Sequence, residues 1–190
     1  MSLNSKDDDL RSIPQILARN VRLYGDKPAY REKEFGIWQS WTWAQTEIEA
    51  MALGLLELGV APGDHVAILG RNRPALYWSM VAVQMCGGVP VPMYQDAAAE
   101  EIAYGLDHSG ARFAIVGDQE QVDKVAEAKA TASNLEYVVY LDGRGLRKYD
   151  HTAMCSVADL TAKGRASGRR AEMKAIVDTL DYDSTCIMLY

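Results

Sequence analysis

The chain has 190 residues, 48% of them hydrophobic and 24% charged, with a formal net charge of −6. That composition excludes disorder, and the length suits one domain or a piece of a larger one, able to bury roughly 70% of its unfolded surface. No concentrated basic patch covers a helix face, so nucleic acid is not an expected partner.

Residues 1–12 read as a disordered, acidic tail. Met1–Asp9 is polar and has no apolar core behind a basic stretch, so it is not a signal peptide. The first predicted helix is Ile13–Tyr24, where Ile13, Ile16, Leu17, Val21 and Tyr24 keep helical spacing and Gly25 ends the run. Ala29–Lys33 and Ile37–Trp41 flank Phe35-Gly36, which predicts a β-hairpin. Thr42-Trp43-Ala44-Gln45 has the capping-box pattern and is read as the start of the next helix. Ile48, Met51, Ala52 and Leu55 form its stripe, and Gly59 supplies a left-handed exit.

From His65 onward, short apolar strands alternate with helices. Strands are predicted at His65–Leu69, Val89–Tyr94, Arg112–Val116 and Tyr137–Leu141. Helices are predicted from Pro74 to about Met85, at Ala98–His108 and at Asp118–Ala130. This alternation means parallel βαβ units, with right-handed crossovers placing helices on both sheet faces. The stretch from Pro74 to Gln95 carries no charge and is long enough to cross a bilayer. It contains Gln84, Gly87-Gly88, Pro90 and Pro92, so it reads as a buried helix, a turn and a strand. Gly143–Arg170, rich in Gly, Ser and charge, reads as a long surface connection with room for one short helix. A helix follows at Glu172–Leu180, then an apolar strand at Ser184–Tyr190.

The residues offer little of a self-contained active site. No GxGxxG follows a strand: Gly143-Arg144-Gly145 comes closest, but Lys148 stands at the third glycine position. No GxxxxGK[ST] or GxSxG occurs. His65, His108 and His151 form no metal-ligand pattern and read as structural. Cys86, Cys155 and Cys186 are odd in number and widely spaced, which gives neither a disulfide framework nor a CxxC pair. Cys86 and Cys186 sit in apolar runs and read as buried small hydrophobes, fitting a reducing, cytoplasmic setting. Trp38, Trp41 and Trp43 read as core or edge packing. Tyr94, at the carboxyl end of a predicted strand, is the best-placed candidate for a substrate contact, because ligands of open α/β sheets approach those ends.

An ordered set of short matches resembles the opening of the AMP-forming acyl-CoA synthetases. It runs through Trp41-Thr42-Trp43, Leu58-Gly59-Val60, Pro62-Gly63-Asp64-His65-Val66-Ala67-Ile68 and Asn72-Arg73-Pro74. It continues with Gly87-Gly88-Val89-Pro90-Val91-Pro92-Met93-Tyr94, Glu100-Glu101-Ile102-Ala103-Tyr104 and Asp107-His108-Ser109-Gly110-Ala111. The stretches Val89–Tyr94 and Asp118–Lys124 look most like the long-chain fatty-acid branch.

The resemblance implies an α/β fold: the N-terminal portion of the synthetase large domain, with a mostly parallel, doubly wound sheet and an early hairpin. Residues 13–190 would be an incomplete N-terminal subdomain, with 143–170 as its surface connection. Asp183–Tyr190 resembles the strand that leads into the family's Ser/Thr/Gly-rich phosphate loop. The implied parent reaction uses a fatty acid, ATP with Mg²⁺, and CoA, through an acyl-adenylate. No catalytic, cofactor-binding or metal residue carries over onto this chain, which is expected to be inactive alone. The resemblance leaves room for peripheral membrane contact and oligomerisation. Two other readings stay open: a complete, non-catalytic α/β domain that binds a ligand or partner, and an aryl- or medium-chain ligase or adenylation-domain relative.

Overall fold

The computed structural model describes residues 9–131 and 134–190. Most of the expected acidic tail, residues 1–8, lies outside the described residues. The first helix, α1 (Ile13–Tyr24), begins where the Ser12 hydroxyl accepts from the Gln15 amide at 3.4 Å, with Pro14 in its first turn. Strands β1 (Pro28–Glu34) and β2 (Ile37–Thr42) pair antiparallel around Phe35-Gly36. Both turn residues have positive φ, 49° and 81°. That is the mirror-image turn whose twist matches a two-residue hairpin.

The capping-box pattern forms, but not where the spacing placed it. The Thr42 amide donates to Gln45 Oε1 at 3.1 Å, and the turn it closes is a single 3₁₀ turn, Trp43–Gln45. Helix α2 (Ile48–Glu57) starts afterwards. Most of its circumference is covered: Leu53, Gly54 and Leu56 are buried along with the expected stripe, while Glu49 and Glu57 stay exposed near its ends. A helix apolar over most of its surface belongs inside a layer.

Five strands then make one parallel sheet: β3 (His65–Leu69), β4 (Val89–Met93), β5 (Phe113–Val116), β6 (Tyr137–Tyr140) and β7 (Met154–Ser156), in the order β4-β3-β5-β6-β7. Helices α3 (Pro74–Met85), α4 (Ala99–Ser109), α5 (Gln119–Ala128), α6 (Val157–Ala166) and α7 (Arg170–Thr179) complete the chain. Alternation along β3 and β5 builds two cores. Val66, Ile68, Phe113 and Ile115 face α2, α3, α6 and α7. Ala67, Leu69, Ala114 and Val116 face α4 and α5. The stretch Pro74–Gln95 is α3, a turn and β4, and no helix among the described residues is long and apolar enough to cross a membrane.

Two expectations fail, each for a local physical reason. Gly143–Arg170 holds the one helix it had room for, but it is anchored in the fold rather than a mere surface connection. Leu146 is buried within a second 3₁₀ turn, β7 adds a fifth strand beside β6, and α6 seats Leu160 and Gly164 on α2. Of its ten residues α6 buries Leu160, Thr161 and Gly164, and a helix that docks through so short a close contact needs little apolar surface, so its polar composition concealed it. The Ser156 hydroxyl caps α6, accepting from the Asp159 amide at 3.0 Å.

Ser184–Tyr190, expected as a strand, lies beside β4 without pairing to it. The reason is in β4. Its Val89 amide turns inward to the Asp64 carbonyl, so Pro90 and Pro92 face the outer edge and offer it carbonyls but no N–H. One backbone bond crosses, from the Met188 amide to the Pro90 carbonyl at 3.1 Å. Prolines on an edge strand prevent a ladder from extending.

The cysteines divide similarly. Cys86 is fully buried, and its thiol donates to the Ala52 carbonyl at 3.2 Å. Burial raises its pKa and, less severely, that of half-buried Cys155. Cys186 is exposed, contrary to its apolar setting in the sequence. Titration of the folded chain with a thiol-specific reagent at neutral pH should therefore show one fast thiol, Cys186, and one slow thiol, Cys155. Cys86 should react only on unfolding.

Candidate functional site

The sheet order creates one special place. β3 lies between β4 and β5, and the helices that leave β3 and β5 go to opposite faces: α3 packs with the first core and α5 with the second. Beyond the carboxyl ends of β3 and β5 the chain therefore parts, leaving a crevice at a topological switch point. Gly117 lies in its floor, packed against Gly70. A Cβ added to Gly70 would sit 3.1 Å from Gly117 Cα, so two backbones meet where only glycines fit. The Gly117 amide donates to the Leu69 carbonyl at 2.8 Å, and Asp142 N to the Gly117 carbonyl at 2.9 Å. These bonds fix the loop ends after three strands.

The crevice has a volume of about 410 Å³ and is rimmed by Arg71, Arg73, Asp118, Gln119, Asp142 and Arg144. The three guanidiniums are held differently. Arg73 reaches back to the hairpin, with its Nε 3.2 Å from Glu32 Oε1 and its Nη1 3.5 Å from Glu34 Oε1. Arg144 grips Asp142, Nε to Oδ2 at 2.8 Å, and holds that carboxyl below the usual carboxylate range. Arg71 is exposed and makes no ion pair among the described residues; Glu120 nearby is held below the usual carboxylate range by its bond to Lys124, with a smaller contribution from Arg71. Asp118 is used as the cap of α5, accepting from the Glu120 amide at 3.1 Å. Of the three guanidiniums, Arg73 and Arg144 are already paired with carboxylates, and Arg71 makes no ion pair among the described residues, which leaves it to face an incoming anion. Such a rim suits phosphate or carboxylate oxygens, which Arg binds in bidentate fashion. Behind the floor, Gln121 is buried and its Oε1 has no hydrogen-bond partner.

Tyr94 stands just past β4, 82% exposed. It separates two recesses. One, of about 610 Å³, opens toward Arg71, Asn72, Met80 and Gln95. The other, of about 520 Å³, is bounded by Met93, Ala97, Ile102 and Tyr104. The histidines are engaged elsewhere: His65 Nδ1 with the Ser109 carbonyl, His108 Nδ1 with the Tyr190 hydroxyl at 2.7 Å, and His151 Nε2 with the Leu146 carbonyl at 3.1 Å. The three indoles do not form one cluster. Trp41 meets Trp78, Trp43 meets Tyr30, and Trp38 points to solvent.

The arginine rim was not singled out in the sequence, because its members belong to loops that only the strand order brings together. A signal was present, however. Two predicted strands each end in glycine, at Leu69-Gly70 and Val116-Gly117, followed at once by polar residues.

Residues 17–190 match the family described as AMP-binding enzyme, so the chain belongs to that family. Among its relatives, the long-chain-fatty-acid–CoA ligase FadD15 of Mycobacterium bovis is 31% identical over 146 residues, covering 73% of this chain and 24% of that protein. The long-chain-fatty-acid–CoA ligase ACSBG1 of Rattus norvegicus is 25% identical over 181 residues, covering 94% of this chain and 25% of that protein. The chain spans about a quarter of the length of these relatives. Among solved structures, the A-PCP didomain of carboxylic acid reductase from Segniliparus rugosus, in complex with AMP, superposes with a TM-score of 0.70 at 15% identity. That match covers 83% of this chain and 27% of the other, a likeness of fold.

Proposed function

We propose that the chain supplies the first α/β layer of a long-chain fatty-acid–CoA ligase. In this reading a fatty acid and ATP with Mg²⁺ give an acyl-adenylate and pyrophosphate, and the CoA thiol then displaces AMP. The observation that carries it is the 31% identity to FadD15 over 146 residues. The geometry supports the same reading. The reactants are phosphate-rich anions, and the crevice at the switch point is rimmed by Arg71, Arg73 and Arg144. Acyl-adenylate formation needs the phosphate charge shielded and the carboxylate held in line with the α-phosphorus. Guanidiniums at a rigid floor meet the first need in part. Asp118 and Asp142, already engaged by the helix cap and by Arg144, are not assigned as Mg²⁺ ligands. Tyr94, beside the recess bounded by Met93, Ala97 and Ile102, is proposed as part of the substrate wall. Three free cysteines fit a cytoplasmic setting.

These 190 residues contain no glycine-rich phosphate loop with its lysine, and the proposal is that they do not catalyse alone. ATP–pyrophosphate exchange is the test. The 190-residue chain should give none with any fatty acid, and a full-length ligase chain that includes these residues should give it with long-chain acids. Exchange by the short chain, or a full-length chain that prefers aryl or amino acids, would overturn the reading.

A further inference from the structure

The hairpin that Arg73 tethers has two chemically different faces. Its register pairs Arg31 with Ser40 and Lys33 with Trp38 on one face, and Glu32 with Gln39 and Glu34 with Ile37 on the other. The acidic pair is half-buried and turned inward onto Arg73. Arg31 and Lys33 are exposed and make no ion pair among the described residues. The hairpin ends in Phe35-Gly36-Ile37-Trp38, with Phe35 90%, Ile37 64% and Trp38 63% exposed. A Cβ added at Gly36 would meet nothing within 4 Å, so the tip stands clear of the body. Single exposed apolar residues are ordinary. Here three stand together on a convex turn, and one of them is conformationally costly. Phe35 carries a φ of 49°, where Asn, Asp or Gly is the usual choice, and no packing compensates for it.

We propose that this tip is a membrane-docking element that places Phe35, Ile37 and Trp38 in the interfacial region of an anionic phospholipid bilayer. A convex apolar tip offers no groove to a peptide but fits a fluid surface. Indole rings favour the headgroup level, and cations beside them meet the negative surface potential. Tyr30 and Trp41 hold the stem rigid by packing edge-on to Trp78, with ring centroids 5.8 and 5.7 Å away. The charge balance makes the tip decisive. The chain carries a net −6, so an anionic surface repels its body, and attraction must come from the exposed hairpin face. The inference does not depend on the ligase reading.

The test is co-sedimentation of the 190-residue chain with vesicles of phosphatidylcholine, with and without phosphatidylglycerol. Binding is expected to the mixed vesicles, and Trp38 should be quenched by brominated lipid, a signal that W38F removes. Lys33→Glu should weaken binding by at least roughly fivefold, and more at low salt. Phe35→Asn combined with Trp38→Ser should weaken it by more than about tenfold. Phe35→Asn alone should weaken binding without lowering the melting temperature, because Asn accepts the left-handed turn; that separates a lipid contact from a structural role. No vesicle binding, equal binding by the tip variants, or a tip-dependent dimer in vesicle-free solution would each overturn the proposal.

Discussion

Gly164→Leu is expected to lower the stability of the chain by about 3 kcal/mol or more, a large share of the 5–15 kcal/mol typical of a domain. The reason is a backbone-to-backbone contact. Helices α2 and α6 lie so close that a Cβ on Gly164 would collide with the Ala50 carbonyl, and one on Gly54 with the Leu160 carbonyl. Neither obstacle is the flexible end of a side chain. Both belong to hydrogen-bonded helices, and α2 is already packed against the sheet core. Relief requires the helices to separate, which opens a void around fully buried Leu160 and Leu53. Gly164→Ala should cost less, about 1–3 kcal/mol. Gly168→Ala is the control: its Cβ would meet nothing within 4 Å, and its stability should stay near that of the parent chain. Urea midpoints of the three variants make the comparison. A Gly164→Leu chain with the parent's midpoint would mean that α6 is not seated on α2.

Trp78→Ala should cost about 3–5 kcal/mol, the range for removing a buried large aromatic side chain. Trp78 is the hub between the hairpin and the sheet. Tyr30 and Trp41 each meet it edge-to-face, at interplanar angles of 85° and 86°, and it is 7% exposed within the core that α2 and α3 share. Removing it empties a cavity and also loosens the hairpin, whose other ties among the described residues include Tyr30 against Trp43 and Arg73 with Glu32 and Glu34. Those ion pairs are partly exposed and contribute little. Near-UV circular dichroism should lose its aromatic signal, and limited proteolysis should cut within residues 28–42 before it reaches the sheet. Trp78→Phe should be much milder. The indole Nε1 is buried without a hydrogen-bond partner, so Phe discards an unsatisfied donor along with some volume. A Trp78→Ala chain whose hairpin resists protease as the parent does would refute the hub assignment.

Much of this architecture was legible in the residues. The periods of two and of about 3.6, with glycine and proline punctuation, located α1, the hairpin and every element from β3 to β6 to within a residue or two. Short-range chemistry did that work: alternation is a property of neighbouring residues, and a Phe-Gly turn closes on itself. The same locality explains the misses. The capping box satisfies itself within four residues and says nothing about how many turns follow. The strand expected at Ser184–Tyr190 has the right composition, but a ladder needs a partner with donors, and Pro90 and Pro92 have none to give. Cys186 lies in an apolar run, yet that run rests on an edge rather than in a core.

By itself, then, the sequence determined the class of fold, the parallel sheet and the resemblance to AMP-forming synthetases, because those depend on local patterns read in order. The seating of α6 on α2, the inward acids and outward cations of the hairpin, and the meeting of Arg71, Arg73 and Arg144 at one crevice were decided only by tertiary structure. Each depends on residues far apart in the chain, and their adjacency follows from strand order and close backbone approach, neither of which any single stretch of sequence records.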